Sequence, residues 1–267
     1  MFAAAVSEFN PLTPGSANAL ILFGSRVGGM MLIAPVFSST IIPKLVRVGL
    51  LVLLTILLQP VALASVHVIP QLTPVTVLSE TIVGMAIGIG AAIIVAAAET
   101  AGDVMAIQIG LSGAAILDPL NSQQSPLLGS FLSLFAVTVL VTLNLHTVML
   151  GALADSTQTI PVGSPISMVN GIGAMLQLGG TLFLLGVRFA APVIASVLIA
   201  NIAIAILGRA APQLNILSVA FPIQIVVGLV TLTAVIPAMA RILNGWSGLY
   251  DGMLGHLVRA LAPVATH

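Results

Sequence analysis

The charged residues of this chain divide it into long apolar runs. Stretches free of Asp, Glu, Lys and Arg extend over Val48–Ser79, Thr81–Ala98, Pro119–Ala154, Ser156–Val187, Phe189–Gly208 and Ala210–Ala240. Most reach or exceed the ~20 residues that an α-helix needs to cross a bilayer. The runs are apolar on every side, whereas a transmembrane β-barrel would show ~10-residue segments of alternating polarity. The expected fold class is therefore an all-α, polytopic integral membrane protein.

The polar punctuation places the elements. A first helix is expected over Ala17–Val36, followed by a turn to Pro43 and the basic pair Lys44 and Arg47, whose charge favours the cytoplasmic side. A second, Val46–Val66, meets Pro60 near its end. The third, Val75–Ala98, carries Gly84, Gly88 and Ala92 at the spacing that lets helix backbones approach closely. Beyond Glu99–Asp103 the apolar stretch Val104–Leu117 is too short to span, and it should stop at Asp118-Pro119 because the residue before proline is pushed out of the α region.

A long helix is expected over Leu127–Leu153 and a loop over Asp155–Pro165. Met168–Leu185 and Pro192–Leu207 follow as separate apolar segments. Ile216–Ala240 then closes an αα-hairpin around the turn Ala210–Asn215. Arg188, Arg209 and Arg241 fall at successive helix ends, so at least one segment in this half should not cross. No internal repeat and no linker to a separate soluble domain is visible.

One interruption stands out. Gly110–Pro126 reads Gly-Leu-Ser-Gly-Ala-Ala-Ile-Leu-Asp-Pro-Leu-Asn-Ser-Gln-Gln-Ser-Pro. Irregular backbone at membrane depth is tolerated only where protein or a water-filled cavity surrounds it, so the break points to a pore, a site or a protein seam.

Composition narrows the function. Of 267 residues, 59% are hydrophobic and 5% charged, against roughly 25% charged in a soluble domain. Seven basic and seven acidic residues cancel, and without a basic stripe nucleic acid is not expected as a partner. The lack of cysteine excludes disulfides, thiolate metal sites and thiol catalysis. Met1–Gly15 has Glu8 but no Lys or Arg, so it lacks the basic start of a cleaved signal and should be retained. The natural address is the bacterial inner membrane.

The polar side chains offer little chemistry. Glu99 and Asp103 share a helical face and would suit a proton relay or cation site, but a solvated helix end explains them more simply. A favourable position near a helix start accounts for Glu80. His146 lies in an apolar run with no His or carboxylate one turn away, so it should pack or hydrogen-bond with Asn144 rather than bind metal. Gly-x-Ser-x-Gly and phosphate-loop patterns are missing, and no enzyme activity, cofactor or metal is expected. Arg26, inside the first apolar helix, costs on the order of 2.5 kcal/mol or more at bilayer depth unless it pairs or snorkels. It should face protein or headgroups, with Glu8 as a candidate partner.

Several segments in order resemble the flagellar biosynthetic protein FliR family, whose virulence-secretion relatives serve in injectisome export gates. The resemblance rests on Arg26, Pro35-Val-Phe37, Pro43 and Arg47-Val48, on Ala101-Gly102 with Gln108-Ile-Gly-Leu-Ser112, and on Asp118-Pro119. It continues through Asn144-Leu-His146 and Ile160-Pro-Val-Gly163, and it is closest at Ala191-Pro192, Asn201, Arg209-Ala-Ala-Pro-Gln-Leu-Asn215 and Phe221-Pro222. Two departures are Ile109 where the family has methionine and Leu145 where it has glycine.

The resemblance implies a subunit of the type III protein export gate, which moves unfolded flagellar proteins out of the cytoplasm. Its implied partners are FliP-like and FliQ-like membrane subunits, an FlhB-like switch protein, the unfolded substrates in transit and the lipid bilayer. It implies a FliP-like part over residues 1–185 and a FliQ-like hairpin and tail over 186–267. These would assemble into a helical pore complex in the flagellar basal body, partly raised toward the periplasm. In that setting the break becomes a plug, with Gly110, Gly113, Ile116, Leu117, Asp118, Pro119, Leu120, Asn121, Gln123 and Gln124 as candidate channel-lining residues. Neutral amides there would meet many polypeptides without binding them tightly. Arg209, Pro212, Gln213 and Asn215 would face partners at the cytoplasmic mouth, and Arg26, Lys44, Arg47, Asn144 and His146 would be structural polar residues. A virulence secretion gate is the alternative. A small-solute transporter is more remote, since it should offer inverted repeats that the chain lacks.

Overall fold

The computed structural model describes residues 14–39, 42–63, 71–111, 127–213 and 215–262. Among these residues the regular structure is entirely helical: α1 (Pro14–Ile33), α2 (Pro35–Ser38), α3 (Lys44–Leu63), α4 (Pro74–Ile109), α5 (Leu127–Thr142), α6 (Leu145–Thr159), α7 (Met168–Ala210), α8 (Ile216–Asn244) and α9 (Trp246–Leu261). Helices α3, α4, α7 and α8 are long and apolar enough to cross a membrane, and the broken pair α5–α6 makes a fifth if it forms one span.

Four boundaries differ from those the sequence predicts. The expected interruption at Glu99–Asp103 is absent: α4 runs through it without a break for 36 residues. A helical glycine costs about 1 kcal/mol relative to alanine, but Gly102 is buried against Leu128 and Gly129 of α5, which offsets that cost. Helix α4 ends at Ile109 instead of Asp118. The helix expected over Leu127–Leu153 is broken before Leu145, where Asn144 takes a left-handed φ of 55°. Arg188 and Pro192 do not divide α7, which continues for 43 residues with Pro192 inside it. Proline removes one backbone hydrogen bond there without ending the helix.

The chain forms two compact units. One comprises Met1–Ile93, Val141–Gly179 and Ser247–His267, the other Ile94–Leu140 and Gly180–Trp246. In the first unit α1 lies between α3 and the start of α4. Gly24 and Gly28 face Thr55 and Leu51 of α3, while Gly29 of α1 meets the backbone at Thr81. Reciprocally, Gly84 and Gly88 of α4 press on the backbone at Arg26 and Met30. Gly84 and Gly88 are thus the close-approach residues that their spacing predicts. Helix α9 lies in what the sequence suggests is only a tail, and it is amphipathic. Tyr250, Leu254, Leu257, Val258 and Leu261 are buried, whereas Asp251, His256 and Arg259 are exposed. Tyr250 and Leu254 meet α4 at Gly90.

In the second unit the end of α4 crosses α5 through Gly102 and Gly129, with the Asp103 carboxylate wedged against Gly129. Helices α7 and α8 form the expected hairpin. Its arms are joined by an amide pair in which Gln224 Nε2 donates to Asn201 Oδ1 at 2.6 Å. Such pairs satisfy polar groups within apolar spans.

Burial separates the roles of the long helices. In the most apolar window of α4, 67% of residues are buried, against 17% in α8. Helix α4 is core, and α3, α7 and α8 turn apolar side chains such as Leu45, Val169, Phe183, Ile199 and Val230 outward.

Candidate functional site

The polar break begins at a well-defined helix end. Gly110, with φ 86°, donates its N–H to Ile107 O at 3.1 Å, and Leu111 N–H donates to Ala106 O at 3.0 Å. These two bonds and the left-handed glycine constitute a Schellman motif, which satisfies the last carbonyls of the helix. Glycine is favoured because an L-side chain at this φ is strained. Of the expected plug residues, Gly110 is therefore placed at the mouth of the break. Gly113, Ile116, Leu117, Asp118, Pro119, Leu120, Asn121, Gln123 and Gln124 lie outside the described residues.

At the far end of the hairpin, Arg209 belongs to the last turn of α7, and Pro212, Gln213 and Asn215 are exposed in the turn that follows. Ala211 N–H donates to Leu207 O at 2.9 Å to close α7, and Asn215 is the N-cap of α8. The turn is where the sequence places it, and its polar groups are open to solvent or to a partner.

The structural polar residues resolve into a buried network in the first unit. Arg26 is completely buried, and its Nε donates to Glu80 Oε2 at 2.6 Å. Arg26 Nη1 donates to Ser156 Oγ at 2.9 Å and Nη2 to Ile160 O at 3.0 Å. The other Glu80 oxygen accepts the Gly163 N–H at 2.8 Å. One ion pair thus ties α1, α4, α6 and the Ile160–Gly163 turn together. This corrects two expectations. Arg26 takes Glu80, not Glu8, as its partner, and Glu8 lies outside the described residues. Glu80 is not a helix-start dipole residue, because the first turn of α4 holds no acidic side chain. The sequence signal is present but unlinked, since Arg26 and Ile160-Pro-Val-Gly163 both carry the family resemblance.

Lys44 opens α3 and is exposed. Arg47 Nη2 donates to the carbonyls of Ser38 at 3.1 Å and Ser39 at 2.8 Å, capping α2. The expected hydrogen bond between Asn144 and His146 is not formed. Asn144 is exposed at the helix break, and His146 Nδ1 is buried without a partner. Glu99 is exposed, and Asp103 Oδ1 is buried and unpartnered against Gly129. Among the described residues no three His, Cys, Asp or Glu side chains gather as a metal site.

The sequence pattern of the bacterial export proteins, family 1, matches residues 17–248. The chain is 31% identical over 216 residues to the flagellar biosynthetic protein FliR of Escherichia coli K12, covering 80% of this chain and 83% of that relative. The chain belongs to the FliR family of bacterial export proteins. It is 32% identical over 213 residues to the FliR of Pectobacterium carotovorum, with 79% and 82% of the two chains covered. For the FliR of Bacillus subtilis the identity is 26% over 222 residues, with 80% and 84% covered. Family membership places the chain in flagellar biosynthesis and bacterial protein export. The family is one of bacterial export proteins.

Proposed function

We propose that the chain is a subunit of the flagellar type III protein export gate in the bacterial inner membrane, forming part of the channel through which unfolded flagellar proteins leave the cytoplasm. The observation that carries this reading is the family match across residues 17–248, which takes in every long apolar helix from α3 to α8. The FliR relatives named above are flagellar proteins, which favours the flagellar system over a virulence one.

The shape of the long helices supports an assembled subunit. At 1.5 Å per residue, the 43 residues of α7 extend roughly 65 Å along the helix contour. That is about twice the ~30 Å hydrocarbon core. A helix of this length with an apolar, outward-facing surface needs protein neighbours beyond what lipid covers. FliP-like and FliQ-like subunits are the proposed neighbours, with residues 1–185 as a FliP-like part and 186–267 as a FliQ-like hairpin and tail.

The mechanism assigns the break to the closed state. Residues 110–126 occupy the channel axis as a plug, with Ile116, Leu117 and Leu120 sealing it and Asn121, Gln123 and Gln124 presenting neutral hydrogen-bonding groups to passing chains. Arg209, Pro212, Gln213 and Asn215 sit at the cytoplasmic mouth, where an FlhB-like switch protein docks. Co-expression tests the assignment: the chain should co-purify with its FliP-like and FliQ-like subunits, and its loss should abolish flagellar export. Wild-type export and motility in its absence would reject the reading.

A further inference from the structure

Helices α6 and α9, both in the first unit, border a groove of about 460 Å³. That is within the roughly 300–1,000 Å³ of small-molecule sites. Asp251, Leu254, Val258 and Arg259 recur at helical spacing and present one face of α9 to it. Buried Leu254 and Val258 form an apolar floor with Val148 of α6, and exposed Asp155, Asp251 and Arg259 set charges around the rim.

These three charges are unspent. Among the described residues neither aspartate has a hydrogen-bond or ion-pair partner, and Arg259 commits only its Nε, to Gly255 O at 2.9 Å. Its Nη1 and Nη2 stay open, in the fork that suits an anionic group. An anion alone would meet two carboxylates and a cation alone would meet the guanidinium, so only a ligand of both signs complements the rim. Helix α6 is largely apolar up to Ala154 and polar from Asp155 to Thr159. Helix α9 is amphipathic and has 16 residues, too few to cross the ~30 Å core at about 1.5 Å per residue. Both features put the rim at the membrane surface, where lipid headgroups lie.

We propose that this groove binds a zwitterionic phospholipid with a primary ammonium, a phosphatidylethanolamine. The ammonium donates to Asp155 and Asp251, the phosphate accepts from Arg259 Nη1 and Nη2, and an acyl chain lies along Val148, Leu254 and Val258. A quaternary choline has no N–H to donate, and the two carboxylates repel anionic lipids. The site stands whether or not residues 110–126 form a plug.

The test titrates phosphatidylethanolamine, phosphatidylcholine and phosphatidylglycerol of identical acyl chains into the delipidated complex of the full chain and its partner subunits. Native mass spectrometry counts the bound lipid. Wild type should hold phosphatidylethanolamine several-fold more tightly than either competitor. Asp155→Asn with Asp251→Asn should erase the preference over phosphatidylcholine, whereas Arg259→Gln should weaken both lipids alike because they share the phosphate. Gly151→Leu fills open space in the groove, since an added side-chain carbon meets no atom within 4 Å, and should displace the lipid. Equal binding of phosphatidylethanolamine and phosphatidylcholine by wild type overturns the proposal, as does lipid binding indifferent to these variants. A photo-crosslinker on Gly151→Cys that captures a partner subunit and no lipid shows protein in the groove and likewise overturns it. Should the variants not fold, wild type decides: a photoactivatable phosphatidylethanolamine should label α6 and α9, and labelling confined to other helices contradicts the site.

Discussion

Arg26 and Glu80, 54 residues apart, form a fully buried ion pair at 2.6 Å. Isolated, either charge would be intolerable in this apolar chain. Together they are surrounded by Ser156, the Ile160 carbonyl and the Gly163 amide, so that the carboxylate and the guanidinium each find further partners. Such a site fixes how the helices fit more than it adds stability, because desolvation offsets much of the Coulombic gain.

Breaking that pair from one side should therefore be severe. Arg26→Met leaves Glu80 buried and uncompensated and should cost about 3–5 kcal/mol. Arg26→Lys lacks the planar fork that serves three acceptors and should cost about 1–3 kcal/mol. The combined Arg26→Met, Glu80→Met variant should be milder than Arg26→Met alone. Thermal melting of the purified complex gives the ranking; a double variant worse than the single would show that the loss does not come from an uncompensated charge.

The glycines at the α1–α4 crossing predict a contrast. A methyl at Gly84 would overlap the Arg26 carbonyl, so Gly84→Ala should destabilise by about 1–3 kcal/mol or more. Gly49, in α3, has open space around its Cα, and Gly49→Ala should be neutral or gain up to about 1 kcal/mol. Membrane abundance and melting temperature of the two variants should separate clearly.

At the α5–α6 break, Asn144 holds φ 55° without a side-chain cap. Asn144→Gly should be tolerated, whereas Asn144→Val should cost about 1–2 kcal/mol because a β-branched residue is strained in that region. Equal stabilities would mean that the break relaxes to ordinary helix.

Tyr250 gives a pH dependence. Burial, and secondarily the Asp251 carboxylate, raises its phenol far above the usual range. The folded state thus keeps the phenol neutral while the unfolded chain ionises it near pH ~10. This contribution is complete below about pH 10 and is lost as pH rises above that value. Tyr250→Phe should flatten the alkaline loss of stability with little change at neutral pH, since the hydrogen bond to Ile87 O is long at 3.4 Å. An unchanged alkaline profile would locate the loss elsewhere.

Much of the architecture is legible in the sequence because it follows from local pattern. The apolar runs mark the long helices, the Ala210–Asn215 turn marks the hairpin, and Gly84 and Gly88 mark a close crossing. What is not legible depends on distant partners. Nothing near Glu80 in sequence indicates Arg26, and nothing near Gln224 indicates Asn201, although all four are polar residues in apolar runs and so need partners. The continuity of α4 through Gly102 is hidden because the compensating contact comes from Gly129 on another helix. At Asn144 the side chain suggests a hydrogen bond, while the backbone is what shapes the break. Helix α9 is obscured because its buried stripe, from Tyr250 to Leu261, alternates with glycines and charged residues.

The most direct test of the central claim is a cross-link to a stalled substrate. The chain has no cysteine, so Gln123→Cys introduces a single thiol in the break. With an added thiol oxidant to take up the two electrons, an unfolded export substrate arrested in the gate and carrying a cysteine within its transiting segment should form a disulfide with this chain. A substrate that is demonstrably arrested in the gate yet never links to Gln123→Cys, while linking to a partner subunit, would contradict a channel-lining role for residues 110–126.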